Sequence, residues 1–227
     1  MFLRDHTILG ITPFEYPDAD LLVAICRAGA FGILDLGRDP VAARAAVDAV
    51  VRQMPSIPFG VRVPQEHDWE PRDLPAAAEV VILSSSEHLS RWRPRRVLVQ
   101  VCSIEEARHA EQAGADGLIA KGEESGGRVG DDSAFILLQR ITRESALPIW
   151  VQGGIGLHTA AACIAGGGAT GAAAGAGAAA GAAAAAGAAG LIAFTALWHP
   201  PESAGMCCFR QLSAGAPPVG TDEQCAM

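Results

Sequence analysis

The sequence predicts an α/β fold, a (β/α)8 TIM barrel that is shortened and incomplete at its eighth strand. Three observations carry this. Seven short apolar runs alternate with helical patterns between Thr7 and about Ala165, and such alternation builds a parallel sheet. The runs are nearly continuous in apolar residues, as in strands buried on both faces. The first β/α turn, Gly10-Ile11-Thr12-Pro13, has no GxGxxG, which counts against the rival doubly wound, dinucleotide-binding sheet.

The elements follow in order. Thr7–Ile11 is a short apolar run stopped by Pro13. Asp18–Ala28 carries Leu21, Leu22, Ile25 and Ala28 at helical spacing, with Gly29 as its C-terminal stop. Phe31–Leu36 is the second strand. Asp39-Pro40 opens a helix to about Gln53, with proline at the first helical position. Pro58–Val63 is the third strand, followed by a polar, proline-bounded loop through Pro75. Glu79–Leu83 and Arg96–Val101 are the fourth and fifth strands. Ser103 with Glu106 is a capping box for a helix to about Ala113. Asp116–Ala120 is the sixth strand, and Asp132 or Ser133 caps a helix carrying Phe135, Leu138 and Ile141. Pro148–Gln152 is the seventh strand, and Leu157–Ala165 starts a further helix.

From Ala165 to Gly190 every residue except Thr170 is Ala or Gly. A closing strand needs β-branched residues to fill the barrel interior, and this tract cannot supply that volume. The expected division is residues 1–168 as the barrel-like domain and 169–227 as an Ala/Gly-rich stretch with an irregular tail. The tract reads as a flexible linker, as a poorly packed closing element, or as a non-native, out-of-frame stretch. Without an eighth strand, two strand edges stay exposed and the chain is expected to aggregate.

Composition narrows the class. Hydrophobic residues make up 50% and charged residues 19%, enough for a core and too apolar for a disordered chain. A net charge of -8 provides no basic footprint for nucleic acid. No stretch reads as a membrane span, and the N-terminal residues lack the apolar core of a signal peptide. The six cysteines show no CxxC spacing, and reduced, buried thiols in a cytoplasmic protein are the expectation.

In a barrel, function sits at the C-terminal ends of the strands. Three such ends stand out: Gly10–Pro13, Lys121–Gly130 and Gln152–Gly156. Gly153, Gly154 and Gly156 stand at a strand mouth before a helix, where backbone N–H groups and the helix N-terminus suit phosphate. An ordinary Gly-rich turn is the bland alternative. Gly126 and Gly127 either let the backbone lie flat against a planar ligand or belong to a solvated loop. His158 opens the last helix beside the suggested phosphate, as a contact or as a cap. The histidines have no HxH or HxxxH spacing, so no metal site is expected. Neither a GxSxG nor a cysteine with a convincing base is present.

Several of these motifs resemble a known family. Gly114-Ala115-Asp116-Gly117 leading into Lys121-Gly122-Glu123-Glu124-Ser125-Gly126-Gly127, then Pro148–Ile155, is similar to nitronate monooxygenase, formerly 2-nitropropane dioxygenase. Ala24–Gly32 and Pro58–Val61 resemble the family's first helix with its second strand, and its third strand. This is an FMN-dependent TIM-barrel family that includes flavin-type enoyl-ACP reductases and modules of polyketide and polyunsaturated fatty acid synthases. The similarity covers about residues 5–168, and the short span between strands three and six resembles the synthase-associated branch.

The resemblance implies FMN as cofactor and a small-molecule or acyl-carrier-linked substrate, with other synthase domains as partners. Gly153, Gly154 and Ile155 resemble the turn that binds the FMN phosphate, and Gly126 and Gly127 the loop beside the isoalloxazine ring. Ile11, Thr12 and Pro13 fall where the first loop touches the flavin; Thr12, Lys121 and Gln152 complete the implied flavin-binding set. Two departures matter. Arg128 stands where the family places its catalytic histidine, and Arg62 where the third strand offers an amide. The second phosphate-binding turn falls in the Ala/Gly tract. A guanidinium stays charged and is a poor general acid or base, so Arg128 is expected to stabilise an anion, with Lys121 or Glu124 left to move protons. Three functions compete: an FMN-dependent oxidoreductase acting on nitronates or acyl chains, a non-catalytic barrel module of a larger synthase, and a flavin-free phosphate-binding isomerase or aldolase-type barrel.

Overall fold

Helix ends show how closely local sequence sets the architecture. The computed structural model describes residues 9–65, 69–154, Cys163 and 194–195. Its first helix, α1 (Ala19–Arg27), starts where the Asp18 carboxylate accepts from the Leu21 N–H at 2.9 Å. It stops at Gly29, whose φ of 90° is open to glycine and strained for other residues. In α2 (Pro40–Gln53) the Asp39 carboxylate accepts from Val41 and Ala42, and Pro40 takes the first helical position. In α3 (Ile104–Gln112) Ser103 Oγ accepts from the Glu106 N–H. The Glu106 carboxylate accepts instead from the Cys102 N–H at 2.8 Å, one residue further back than a capping box requires.

The fourth helix, α4 (Ala134–Ile141), departs from expectation. Ser133 holds the cap position, but its side chain makes no capping bond. Glu124, ten residues upstream, supplies the acceptor: both carboxylate oxygens lie 3.1 Å from the Ala134 N–H. Asp132 pairs with Arg140. The cap comes from a loop folded back over the helix, which no local spacing encodes.

Strands β1 (Leu9–Ile11), β2 (Phe31–Asp35), β3 (Phe59–Arg62), β4 (Ala78–Leu83), β5 (Arg96–Val101), β6 (Gly117–Lys121) and β7 (Ile149–Gln152) pair in parallel, each with the next. All seven fall within about a residue or two of the expected runs. Strands β3, β6 and β7 are buried at every residue, as a sheet covered on both faces requires. Interior and outer layers share one core that includes Leu9, Ile33, Phe59, Ile82, Leu98, Leu118 and Leu138.

Two crossovers carry 3-10 turns in place of α-helices: Pro71–Asp73 between β3 and β4, and Leu89–Trp92 between β4 and β5. Trp69, Leu74, Leu89 and Trp92 bury their side chains there. Arg95 ties the first turn to the sheet by donating to the carbonyls of Pro71, Leu74, Pro75 and Ala78. These abbreviated crossovers are why the barrel is short.

The sequence offered no eighth strand in the Ala/Gly tract. The structure places one beyond it: β8 (Phe194–Thr195) pairs in parallel with β1, Gly10 opposite Phe194. The sheet order is β7-β6-β5-β4-β3-β2-β1-β8, a curled barrel wall with no β7–β8 pairing among the described residues. One of the two expected open edges is thus covered. The expected helix Leu157–Ala165 lies outside the described residues except for Cys163, which is buried. Among the described residues no helix is long and apolar enough to cross a membrane.

Removing the Glu124 cap tests the tertiary origin of the α4 start. Glu124→Ala is expected to lower stability by about 1 kcal/mol, the ordinary worth of an N-cap, whereas Ser133→Ala changes it by a few tenths at most. Urea denaturation of the two variants measures both.

Candidate functional site

The C-terminal strand ends carry a layer of buried polar side chains: Thr12, Asp35, Arg62, Gln100, Lys121 and Gln152. Uncompensated, each would oppose folding. Five of them are linked in a chain. Thr12 Oγ1 accepts from the Asp35 N–H at 2.8 Å, and Asp35 Oδ1 accepts from the Gly37 N–H at 2.9 Å. Asp35 Oδ2 receives the Arg62 guanidinium through Nη1. Arg62 Nε donates to Gln100 Oε1 at 3.2 Å, and Gln100 Nε2 donates to Gln152 Oε1 at 2.8 Å. The chain crosses the barrel mouth from β1 to β7. The Phe14 ring lies 4.5 Å from the Arg62 guanidinium carbon as a cation–π lid.

Above this layer opens a cavity of 540 Å³, within the range of small-molecule sites. Arg62, Gln100, Lys121 and Arg128 line it, with Phe14, Asp35 and Ser84. The loop after β6 forms one rim. A Cβ on Gly126 would meet open space, and one on Gly127 would stand 3.3 Å from Lys121 Nζ. Gly127 has φ of 78°, so the turn itself favours glycine. Both glycines therefore leave backbone accessible at the mouth.

Arg128 lines the same cavity but is held from behind. Its Nη1 and Nη2 donate to the two Glu106 oxygens at 2.6 and 3.2 Å, and Nη2 also donates to the Ser84 carbonyl at 3.0 Å. The Glu106 hydrogen bond raises its pKa further. Arg128 is thus a fixed, permanently charged fork that cannot exchange protons near neutral pH.

Lys121 differs. It is buried at the end of β6, and no carboxylate among the described residues forms an ion pair with it. Burial, then the nearby Arg62 and Arg128 charges, lower its pKa to about 8, against a smaller opposing effect from Cys102. Of the two proton-moving candidates, Glu124 is engaged on the α4 N-terminus, which leaves Lys121 facing the cavity.

The Gly153–Gly154 turn has a packing role of its own. A Cβ on Gly153 would stand 2.9 Å from both Ala134 Cβ and Glu124 Cδ, and one on Gly154 3.3 Å from Glu124 Cγ. These glycines make room for the side chain that caps α4. Ser125 Oγ donates to the Gln152 carbonyl at 2.8 Å, joining the loop to the strand end. Ile155, with Gly156 and His158, lies outside the described residues. Among the described residues no cluster of His, Cys, Asp or Glu is arranged to hold a metal.

Of the expected site residues, Lys121 and Arg128 line the cavity; Gly127 stands beside Lys121, and Thr12 and Gln152 reach the cavity through Asp35 and Gln100. Sequence reasoning missed Asp35, Gln100 and Glu106. Asp35 and Gln100 were each legible as a polar residue inside an apolar strand, a cue that deserved weight. Glu106 was absorbed into its helix cap.

Residues 95–189 match the family model of nitronate monooxygenase. No curated protein matches the chain by sequence. Among solved structures, FabK from Thermotoga maritima is similar with a TM-score of 0.62 and 24% identity, over 85% of this chain and 59% of that one. Nitroalkane oxidase from Streptomyces ansochromogenes has a TM-score of 0.59 and 23% identity, over 73% of this chain and 64% of that one. The native KDPGal structure shares the fold at 15% identity, with a TM-score of 0.58, over 94% and 95% of the two chains. The chain thus spans 59% of FabK and 64% of the nitroalkane oxidase. The motifs Gly114–Gly127 and Pro148–Ile155 lie inside the family match, and Ala24–Gly32 and Pro58–Val61 outside it.

Two stability predictions follow from the polar layer. Asp35→Ala leaves the Arg62 charge buried and unpaired, and should cost about 3 to 5 kcal/mol, read by urea denaturation. Lys121→Met removes a buried ammonium. Because the Lys121 pKa is lower folded than unfolded, its burial opposes folding fully below pH about 8 and progressively less as pH rises toward the ordinary lysine value. The variant should therefore melt higher than the parent at pH 7, and its advantage should shrink between pH 8 and 10.

Proposed function

We propose that this chain is the flavin-binding barrel of an FMN-dependent oxidoreductase of the nitronate monooxygenase and enoyl reductase type. One observation carries the reading: the family match over residues 95–189 contains Gln100, Lys121 and Arg128, which line one cavity, with Gln152 bonded to Gln100 and Gly127 beside Lys121. The residues present suit the ring of FMN. An amide, two cations and exposed glycine backbone surround a cavity of 540 Å³, and cations favour an electron-rich ring. Gly126 and Gly127 would hold the ring, with Thr12, Lys121 and Gln152 at its polar edge. Gly153, Gly154 and Ile155 would take the phosphate, beside the space Glu124 fills. Bound FMN would supply the hydride- or electron-accepting group.

This chain's own residues then have distinct tasks. Arg128, fixed by Glu106, offers its charge to a developing anion such as a nitronate or enolate. Lys121 Nζ holds or releases a proton near neutral pH. The Arg62–Asp35 pair and Gln100 keep the floor of the site rigid. The substrate is a small nitronate or an acyl chain, the latter delivered by a carrier if the chain works beside other synthase domains.

A second reading rests on a specific observation. Arg128 is committed to Glu106 and to the Ser84 carbonyl, and no imidazole stands in its place. That favours a barrel module that retains the fold inside a larger synthase without turning substrate over.

The test is the absorbance spectrum of the purified full chain after FMN is added and excess removed, followed by turnover assays. The oxidoreductase reading expects retained flavin bands and NAD(P)H or nitronate consumption, with Lys121→Met weakening turnover at least tenfold. Retained flavin without turnover supports the module. A folded chain that keeps no flavin overturns the FMN reading.

A further inference from the structure

The cations around the cavity are paired, with one exception. Arg38 meets Glu15 at 2.6 Å, Arg62 meets Asp35, and Arg128 meets Glu106 at 2.6 Å. Lys121 alone among these four has no carboxylate partner among the described residues. It is also the only lysine in the chain; of the 17 lysines and arginines the other 16 are arginine. A primary amine thus stands once in this sequence outside the N-terminus, and the fold buries it at a strand end, facing a cavity.

An arginine there would serve charge equally well. What lysine adds is a nitrogen that can lose its proton and become a nucleophile. Its surroundings favour that form: the guanidinium groups of Arg62 and Arg128 face it, Asp35 is already engaged by Arg62, and Cys102 is the neighbouring thiol. With the pKa at about 8, about a tenth of the amine is unprotonated at pH 7, far more than for an ordinary lysine.

The cavity also indicates what would meet this nitrogen. Its lining includes Arg38, Arg62, Lys121 and Arg128; Glu15, Asp35 and, from behind, Glu106 pair the three arginines, so among the described residues Lys121 is the unpaired charge of the group. Arg38 commits Nε and Nη2 to Glu15 and keeps Nη1 for another acceptor. That nitrogen is the donor open to a carboxylate on a ligand.

We propose that Lys121 is a covalent attachment site for a small oxo-acid, whose carbonyl carbon its Nζ attacks while Arg38 Nη1 takes the carboxylate. The C–N bond forms as the carbonyl oxygen takes up a proton, giving a carbinolamine. Loss of water leaves an imine, so amine and carbonyl yield imine and water with no change in oxidation state. The step needs no flavin and goes beyond the oxidoreductase reading.

The experiment incubates the full chain, with and without added FMN, with glyoxylate and cyanoborohydride at pH 7. Cyanoborohydride supplies the hydride that converts the imine into a stable secondary amine. Peptide mass mapping then compares Lys121 with the N-terminal α-amine, the other primary amine, as an internal reference. Lys121 should be labelled at least tenfold faster in the folded chain than in urea, and its rate relative to the α-amine should be higher with glyoxylate than with acetaldehyde. Protection of Lys121 by FMN would support one shared cavity, whatever the turnover result. Labelling no faster folded than unfolded, or labelling of the α-amine alone, overturns the attachment site. Equal relative rates with the two aldehydes overturn its preference for oxo-acids.

Discussion

The Arg62–Asp35 ion pair is the constraint on which the mouth of this barrel depends. Both groups are buried, and a buried charge is tolerated only when its partner and its remaining donors and acceptors are satisfied. Asp35 meets this through the Gly37 N–H and Arg62; Arg62 meets it through Asp35, Gln100 and the Phe14 ring. Gln100 then passes the chain of bonds to Gln152. Side chains from β2, β3, β5 and β7 are thereby held in one arrangement, and the floor of the cavity is a polar network in place of a hydrophobic plug. A network of this kind adds little stability relative to apolar packing, but it orients groups sharply.

The electrostatics of the rim follow from that floor. Arg62 is neutralised below, Arg128 is neutralised from behind by Glu106, and Lys121 feels both charges with no carboxylate partner among the described residues. The two guanidinium groups reinforce the effect of burial on the amine. Arg128 thus supplies a fixed charge whose field adds to the lowering of the Lys121 pKa.

Glycines at this mouth serve geometry as much as ligand contact. Gly127 occupies a left-handed turn. Gly153 clears space for Glu124, which reaches across from the β6 loop to cap α4. The loop after β6, the turn after β7 and the start of α4 are thus one packed unit, so a change in any of them shifts the other two. The Gly153–Gly154 pair thus has a packing reason of its own.

The sequence by itself determined the seven strands, the caps of α1 and α2 and the end of the sheet on which a site would lie. Each of these is encoded locally, by continuous apolar runs, by Asp18, Asp39 and Gly29, and by the chain direction that sends every strand end to one face. It also placed Lys121, Gly126, Gly127 and Arg128 together, because they are neighbours in one loop. Only the tertiary structure decided which side chains meet. Glu124 rather than Ser133 caps α4, Glu106 holds Arg128, Asp35 takes Arg62, and Phe194–Thr195 lies beside β1. All four contacts join residues distant in sequence or across a loop. Their partners are chosen by the curl of the sheet, and no residue spacing records that curl.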